Sequence, residues 1–426
     1  MTKYKEPPQM KKIVMFALIA SLLLTGCGKT DTTSVNTTNS DIETEAPENT
    51  IPTYSAEEDM AAAEYLVSEY GIDRGEKVPK VILDCDMSYL YDDAMCMCIL
   101  AQADTLGLID LLGVTVTGGN QFVSYGTNSA LVQLEQIGRA DIPVYMGTDI
   151  PINGVRDLEA QAEIVGQIDR YGSMHHFDEY VEPEKYHDLG SYYERKWGYS
   201  ESDPQDISSV DFMIEQVNNF KGEVTIISVG AATNVAMACE KDASFAENTA
   251  GIIYMGTIIE GAGTYTPYAD FNVFYDAEAF DLCLKSAFPS QTVIPHDAAA
   301  TAVLNKAVFD LMDAKNDTLI SKFWIDNWYS QYRRNTNYKS SCTDAIVAVV
   351  LLNPGVIQEE RMLSLTINTD VNSPEYGHTI CEEDDDVRVV MAVDTALYWD
   401  FVTDLLCHMQ DEPEFDYGYF MNVNGD

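Results

Sequence analysis

Short apolar runs of strand length alternate with longer helical segments from Val78 onward, and that rhythm leaves few folds open. Val78 to Leu83, Leu111 to Thr117, Ile142 to Tyr145, Val224 to Val229 and Gly251 to Met255 read as strands. Ala94 to Leu106, Asn128 to Ile137 and Thr233 to Glu240 read as helices between them. Val- and Ile-rich strands joined through helices pair in parallel, and the helices cover the sheet. The sequence therefore predicts an α/β fold, a mostly parallel central sheet with helices on both faces. An apolar fraction of 46% suffices for its core. From about 149 to 205 the rhythm stops. That stretch is polar and rich in Tyr, Glu and Asp, and reads as an insertion or lid.

The N-terminus has a different character. Lys3, Lys5, Lys11 and Lys12 precede a short apolar run, Ile13 to Leu24, that ends in Leu24-Thr25-Gly26-Cys27. The run is shorter than the roughly 20 apolar residues a spanning helix needs, and fits the apolar part of a signal peptide. Its end resembles the bacterial lipobox, which implies acylation of Cys27 and an extracytoplasmic chain anchored to the cell membrane by lipid. Residues 1–27 are thus expected to be a lipoprotein signal peptide. Residues 28–54, almost all polar, are an expected disordered tether. Residues 55–76 form a short helical lead-in with Ser55 as its N-cap. The domain itself spans 77–412, and an acidic tail closes the chain at 413–426.

Charge excludes some partners. The net charge of -44 repels phosphate backbones, so nucleic acid is not an expected ligand. After Cys27, eight cysteines remain, and none forms a CxxC pair of zinc spacing. Free buried thiols are the expectation, although an exported chain could also form disulfides.

Ligands of an open parallel sheet bind beyond the carboxyl ends of its strands. After the first strand come Asp84, Asp86, Asp92 and Asp93, four carboxylates within ten residues. Strand alternation sends Asp84 and Asp86 to one face, and Asp92 and Asp93 open the next helix, where its dipole favours negative charge. Carboxylates this close raise one another's pKa unless a cation separates them. Oxygen ligands without His or Cys select a hard ion, Ca²⁺ or Mg²⁺. Taken alone, the same residues would also read as a solvated acidic loop with helix caps.

In order, these segments resemble the nucleoside hydrolase family, a subgroup with a longer first loop. Asp84-x-Asp86 with Asp92-Asp93-Ala94 is similar to its calcium motif, and Thr117-Gly118-Gly119-Asn120 to its second block. Gly230-Ala231-Ala232-Thr233-Asn234 is similar to the third, and Thr264-Tyr265-Thr266-Pro267 with Asp270-Phe271-Asn272 to the fourth. Thr343-Asp344-Ala345 is similar to the last. The resemblance runs from about Val78 to Leu406. It implies one Ca²⁺, with Mg²⁺ second, held by Asp86, Asp93, Asp344 and the Thr233 carbonyl. Asp86 is implied as the base that deprotonates a water, and Asp92, Asn120, Asp270 and Asn272 as the grip on a ribose. The implied reaction cleaves the N-ribosidic bond of a nucleoside or related ribosyl compound. A homo-oligomer is also implied, since the family is often oligomeric.

Five positions depart from the family pattern. Ser88 and Leu90 replace Gly and Asp, Thr264 replaces Asn, Asp270 replaces Glu, and Thr343 stands where some members carry a His that protonates the leaving base. These departures keep open a second reading, a degenerate lipoprotein that binds nucleosides without turnover. A third is a haloacid-dehalogenase-type phosphatase, in which Asp84 would be the nucleophile and Mg²⁺ the ion. Trp324, Trp328 and Tyr332 are spaced by four, and could stack on a base or pack in the core.

Overall fold

A computed structural model describes residues 53–75, 77–166, 168, 172–176, 198–315, 318–383 and 386–411. The expected signal peptide with Cys27, nearly all of the tether, part of the insertion and the acidic tail lie outside them. The strands are β1 (Lys80–Cys85), β2 (Asp110–Val116), β3 (Val144–Met146), β4 (Val224–Ser228), β5 (Gly251–Met255) and β6 (Gln291–Ile294). They continue with β7 (Val303–Leu304), β8 (Ser340–Ser341), β9 (Ile357–Ile367), β10 (Thr379–Glu383) and β11 (Val387–Val393). Nine of them form one sheet in the order β10-β9-β11-β6-β5-β4-β1-β2-β3, and β7 pairs only with β8. Pairing is parallel from β3 to β11 across the sheet, while β9 is antiparallel to both its neighbours.

The central strand explains the two-sided core. Val81, Leu83 and Cys85 pack into one buried cluster and Ile82 into another, because successive side chains leave a strand on opposite faces. Both faces are covered, so β1 is apolar from Val81 to Leu83, as the buried part of a parallel strand must be. Burying one such side chain stabilises the fold by about 1.5–3 kcal/mol. From β1 the chain proceeds to β2 and β3 on one side, then returns to β4, β5 and β6 on the other. The sheet order therefore reverses between β1 and β4, where an open α/β sheet leaves a crevice.

Helix limits differ from the sequence expectation in one instructive place. The second helix runs Val123–Gln136, five residues earlier than its apolar spacing suggests. Its first turn is capped from far away: the Val123 amide donates to Asp149 Oδ1 at 2.7 Å. A cap borrowed from another loop leaves no local signature. The lead-in helix Ala56–Tyr70 instead starts with a capping box, Ser55 with Glu58. Its Tyr70 hydroxyl donates to Asp404 on the last helix, Thr395–Leu406. All eight described cysteines are free. Trp324 and Tyr332 are core residues, with 1% and 0% exposure, and a π-helical turn at Ile325–Tyr329 breaks the face their spacing suggested.

Candidate active site

Beyond the ends of β1, β4, β5 and β6 lies a cavity of about 590 Å³. One wall is acidic. Asp92 and Asp93 form the first turn of the helix Asp92–Thr105, and Asp344 precedes the helix Ala345–Leu352 packed against it. One carboxylate oxygen from each of Asp92, Asp93 and Asp344 lies within 4.8 Å of the other two. Asp86 joins them through Asn120, whose side-chain amide donates to Asp86 Oδ1 and to Asp93 Oδ2, each at 3.3 Å. The Asn120 backbone amide donates to Asp86 Oδ2 at 2.7 Å.

Two glycines make room for Asp86. A Cβ on Gly119 would overlap its carboxylate, and a Cβ on Gly230 would stand 2.7 Å from its backbone nitrogen. Gly119 after β2 and Gly230 after β4 are therefore steric requirements of the acid between them.

All four acids are buried. Burial, followed by the charge of Asp92, pushes Asp86 up to about 7 once its hydrogen bonds are counted. Burial, then the charges of neighbouring acids, raises Asp93 and Asp344 well above the carboxylate range. Burial also raises Asp92, against the pull of the Thr343 hydroxyl. Two ionised carboxylates 4.8 Å apart repel by about 3 kcal/mol in a partly polar interior. Asp92 Oδ1 and Asp93 Oδ1 are buried and have no hydrogen-bond partner. Oxygen acceptors that are crowded, buried and unpartnered fit a hard divalent cation.

The opposite wall is built differently. Asp270 caps the helix Phe271–Tyr275, and its carboxylate accepts the backbone amides of Val273 (3.2 Å) and Thr257. Burial raises its pKa, while those amides and the charge of His296 pull it back. The Asn272 side-chain amide donates to the Val229 carbonyl at 2.7 Å and the Met255 carbonyl at 3.3 Å, tying the ends of β4 and β5 together. Thr264, Tyr265 and Phe271 complete this side.

The structure thus brings Asp86, Asp92, Asn120, Asp270, Asn272 and Asp344 to one cavity, with Asp93 buried beside Asp86. Thr233 is fully buried at the start of the helix Thr233–Lys241, and its hydroxyl donates to Asp276 at 2.8 Å. Asp92 lies among the clustered acids, and Thr343 hydrogen-bonds to it. Asp84 is deeper, fully buried and held by Thr115 (2.7 Å) and Asn234 (2.9 Å). It does not line the cavity, so it is not placed as a phosphatase nucleophile. Tyr91, Ser341 and His296 line the cavity without having been singled out. The signal for His296 was available: Thr292-Val293-Ile294 is an apolar run, and the residues after a strand end are the ones to inspect.

Comparison with known proteins agrees with this geometry. The family model for inosine-uridine preferring nucleoside hydrolases matches residues 81–400. A pyrimidine-specific ribonucleoside hydrolase, RihB of Escherichia coli, is 27% identical over 344 residues, covering 76% of this chain and 95% of its own. A plant nucleoside hydrolase, PpNRh1, shares the fold with a TM-score of 0.61 at 22% identity, over 78% of this chain and 99% of that one. A purine-preferring ribonucleoside hydrolase from Gardnerella vaginalis has a TM-score of 0.58 at 19% identity over the same shares. At these identities the structural likeness speaks to the fold alone, and the family match extends it: the chain belongs to the inosine-uridine preferring nucleoside hydrolase family.

Proposed function

We propose that this protein hydrolyses the N-ribosidic bond of ribonucleosides, releasing free base and ribose, with a divalent cation, Ca²⁺ by preference, at the acidic wall. The observation that carries the reading is the group of buried carboxylates with unpartnered oxygens at the floor of a cavity large enough for a nucleoside. Asp86, Asp93, Asp344 and the Thr233 carbonyl would hold the ion, and the position of Asp92 makes it a further candidate. When bound, the cation neutralises these acids and lowers the pKa of a nearby water.

The protein's own residues do the rest. Asp86 takes a proton from the attacking water, its carboxylate oriented by the backbone and side-chain amides of Asn120. Asp92 and Asn120 hold ribose hydroxyls on the acidic side. Asn272 spends its amide hydrogens on two backbone carbonyls, so its oxygen is the part left to receive a sugar hydroxyl. Hydrogen bonds to the hydroxyls strengthen as the anomeric carbon gains oxocarbenium character, which lowers the barrier. Asp270 contributes at shorter reach, because two amides already hold its carboxylate.

The same proposal includes a lipid anchor on Cys27 that keeps the enzyme on the outer face of the cell membrane, supported by the sequence Leu24-Thr25-Gly26-Cys27. The direct test is release of free base from a panel of purine and pyrimidine ribonucleosides, followed by chromatography, with Ca²⁺ and after chelation. Release that stops on chelation supports the reading. Ca²⁺ binding without release from any nucleoside would favour capture without turnover, a reading to which the absence of a His at Thr343 lends weight.

A further inference from the structure

Cleaving the bond between C1′ and a base leaves an electron pair on the base. A purine or pyrimidine anion leaves poorly, so the departing base needs a proton as the bond breaks. Among the described residues of the acidic wall, none is an imidazole that could give it. The Thr343 hydroxyl donates its hydrogen to Asp92. Tyr91 lies on the rim, half-exposed beside Asp92. The clustered carboxylates would be taken up by the proposed cation.

The attacking water also comes from that wall. Displacement puts the incoming and leaving groups on opposite faces of the sugar, so the base departs toward the loops that follow β5 and β6. Among the described residues, His296 is the one imidazole that lines the cavity, and it lies in that region. It follows β6 by two residues and is half-buried. Its position is fixed by backbone bonds. The His296 amide donates to the Thr257 carbonyl at 3.0 Å. The next residue, Asp297, accepts the amides of Ile259 (2.8 Å) and Gly261 (2.6 Å), which fastens the loop after β5 to the start of the helix His296–Ala299. The imidazole is close enough to Asp270 for their charges to interact.

We propose that His296 is the proton donor to the departing base, supplying from the β6 side what Thr343 cannot. This rests on the hydrolase reading above. In the step, the water oxygen bonds to C1′ and one water proton passes to Asp86. The bond from C1′ to nitrogen breaks with its electron pair going to the base, and the imidazolium proton goes to the base. Asp86 then releases its proton to solvent and His296 takes one back, so the sum is one water added across the bond.

The test uses the full chain with Ca²⁺, the variants His296→Ala and His296→Asn, and two kinds of riboside. One is the panel of ribonucleosides. The other is para-nitrophenyl riboside, whose phenolate leaves without a proton. Both variants are expected to lose about a hundred- to a thousandfold in kcat on the nucleosides, and less than about tenfold on the nitrophenyl compound. Equal losses on both substrates would overturn the proposal, since that pattern marks a ribose contact or damage to the fold, and so would unchanged nucleoside turnover. Asn keeps a polar side chain at the site, so it answers the question if Ala does not fold. A parent chain inert toward both ribosides would overturn the hydrolase reading and the proposal with it, an outcome distinct from a parent that works and a His296 that does not matter.

Discussion

In one part of the cavity lining Asp92, Asp93 and Asp344 crowd together beside Asp86, with one oxygen each of Asp92 and Asp93 unpartnered, while in another the Asp270 carboxylate and the Asn272 amide group bond to backbone groups nearby. The first group leaves buried acceptors that the proposed cation would satisfy. The second is finished by the protein itself, its side chains bracing the ends of β4 and β5. The departures from the family pattern divide in the same way. The acids are all in place on the first wall, and its changes, Ser88, Leu90 and Thr343, surround them. Thr264 and Asp270 lie on the second, beside His296. The difference teaches that the metal site and the leaving-group site are separate physical problems, solved by different parts of the chain.

Substitutions can break that separation, beginning with the largest expected effect. Asp93→Ala is expected to abolish cation binding, measured by calorimetry, and to lower nucleoside turnover by about four orders of magnitude. Full turnover in this variant would mean the acidic wall is not the cation's wall. Asp86→Asn keeps the size of the side chain and removes the base. It should cost about a hundred- to ten-thousandfold in kcat. Because Asp86 is also among the groups proposed to hold the ion, cation affinity should weaken in the same variant, and unchanged affinity would remove it from the ligand set. Thr343→Val removes the hydroxyl that orients Asp92 and should cost about 10- to 100-fold in kcat/KM. No change there would show that the bond to Asp92 is idle.

The next effect reads stability and has a definite sign. Burial raises Asp86 from 3.8 to about 7, and raises Asp93 and Asp344 as well. In that interval the metal-free folded state holds more protons than the unfolded chain, so its stability falls as the pH rises through about 7. A cation replaces those protons. Ca²⁺ should therefore raise Tm more at about pH 8 than at about pH 5, measured by calorimetry. Equal increments would place its binding elsewhere. The smallest change belongs to the second wall. Asp270→Ala removes a helix cap and should cost about 1 kcal/mol of stability while cation affinity stays the same. A loss of affinity would show that the two walls are coupled after all.

Much of this was legible in the sequence, for identifiable reasons. β1 is apolar and then acidic, so its place in the middle of the sheet and the charge at its end follow from burial and strand geometry alone. The acids Asp92 and Asp93 announce a helix start next to that strand. Thr233, Asn272 and Asp344 stand out through resemblance, because each taken alone reads as an ordinary cap or loop residue. The start of the helix Val123–Gln136 has no local signal, because its cap, Asp149, is 26 residues from Val123 in the chain.

What the sequence determines by itself, then, is the alternation of strand and helix, the acidic end of β1 and the order of the family's motifs, since these depend on neighbours along the chain. The tertiary structure decided that Asp344 joins Asp92 and Asp93 across some 250 residues, that Thr343 turns its hydroxyl to Asp92, that Asp84 sinks beneath the cavity, and that His296 lines the same cavity as the acids. Each of these rests on which strand ends lie side by side, and β1, β4, β5 and β6 become neighbours only when the sheet closes around its core.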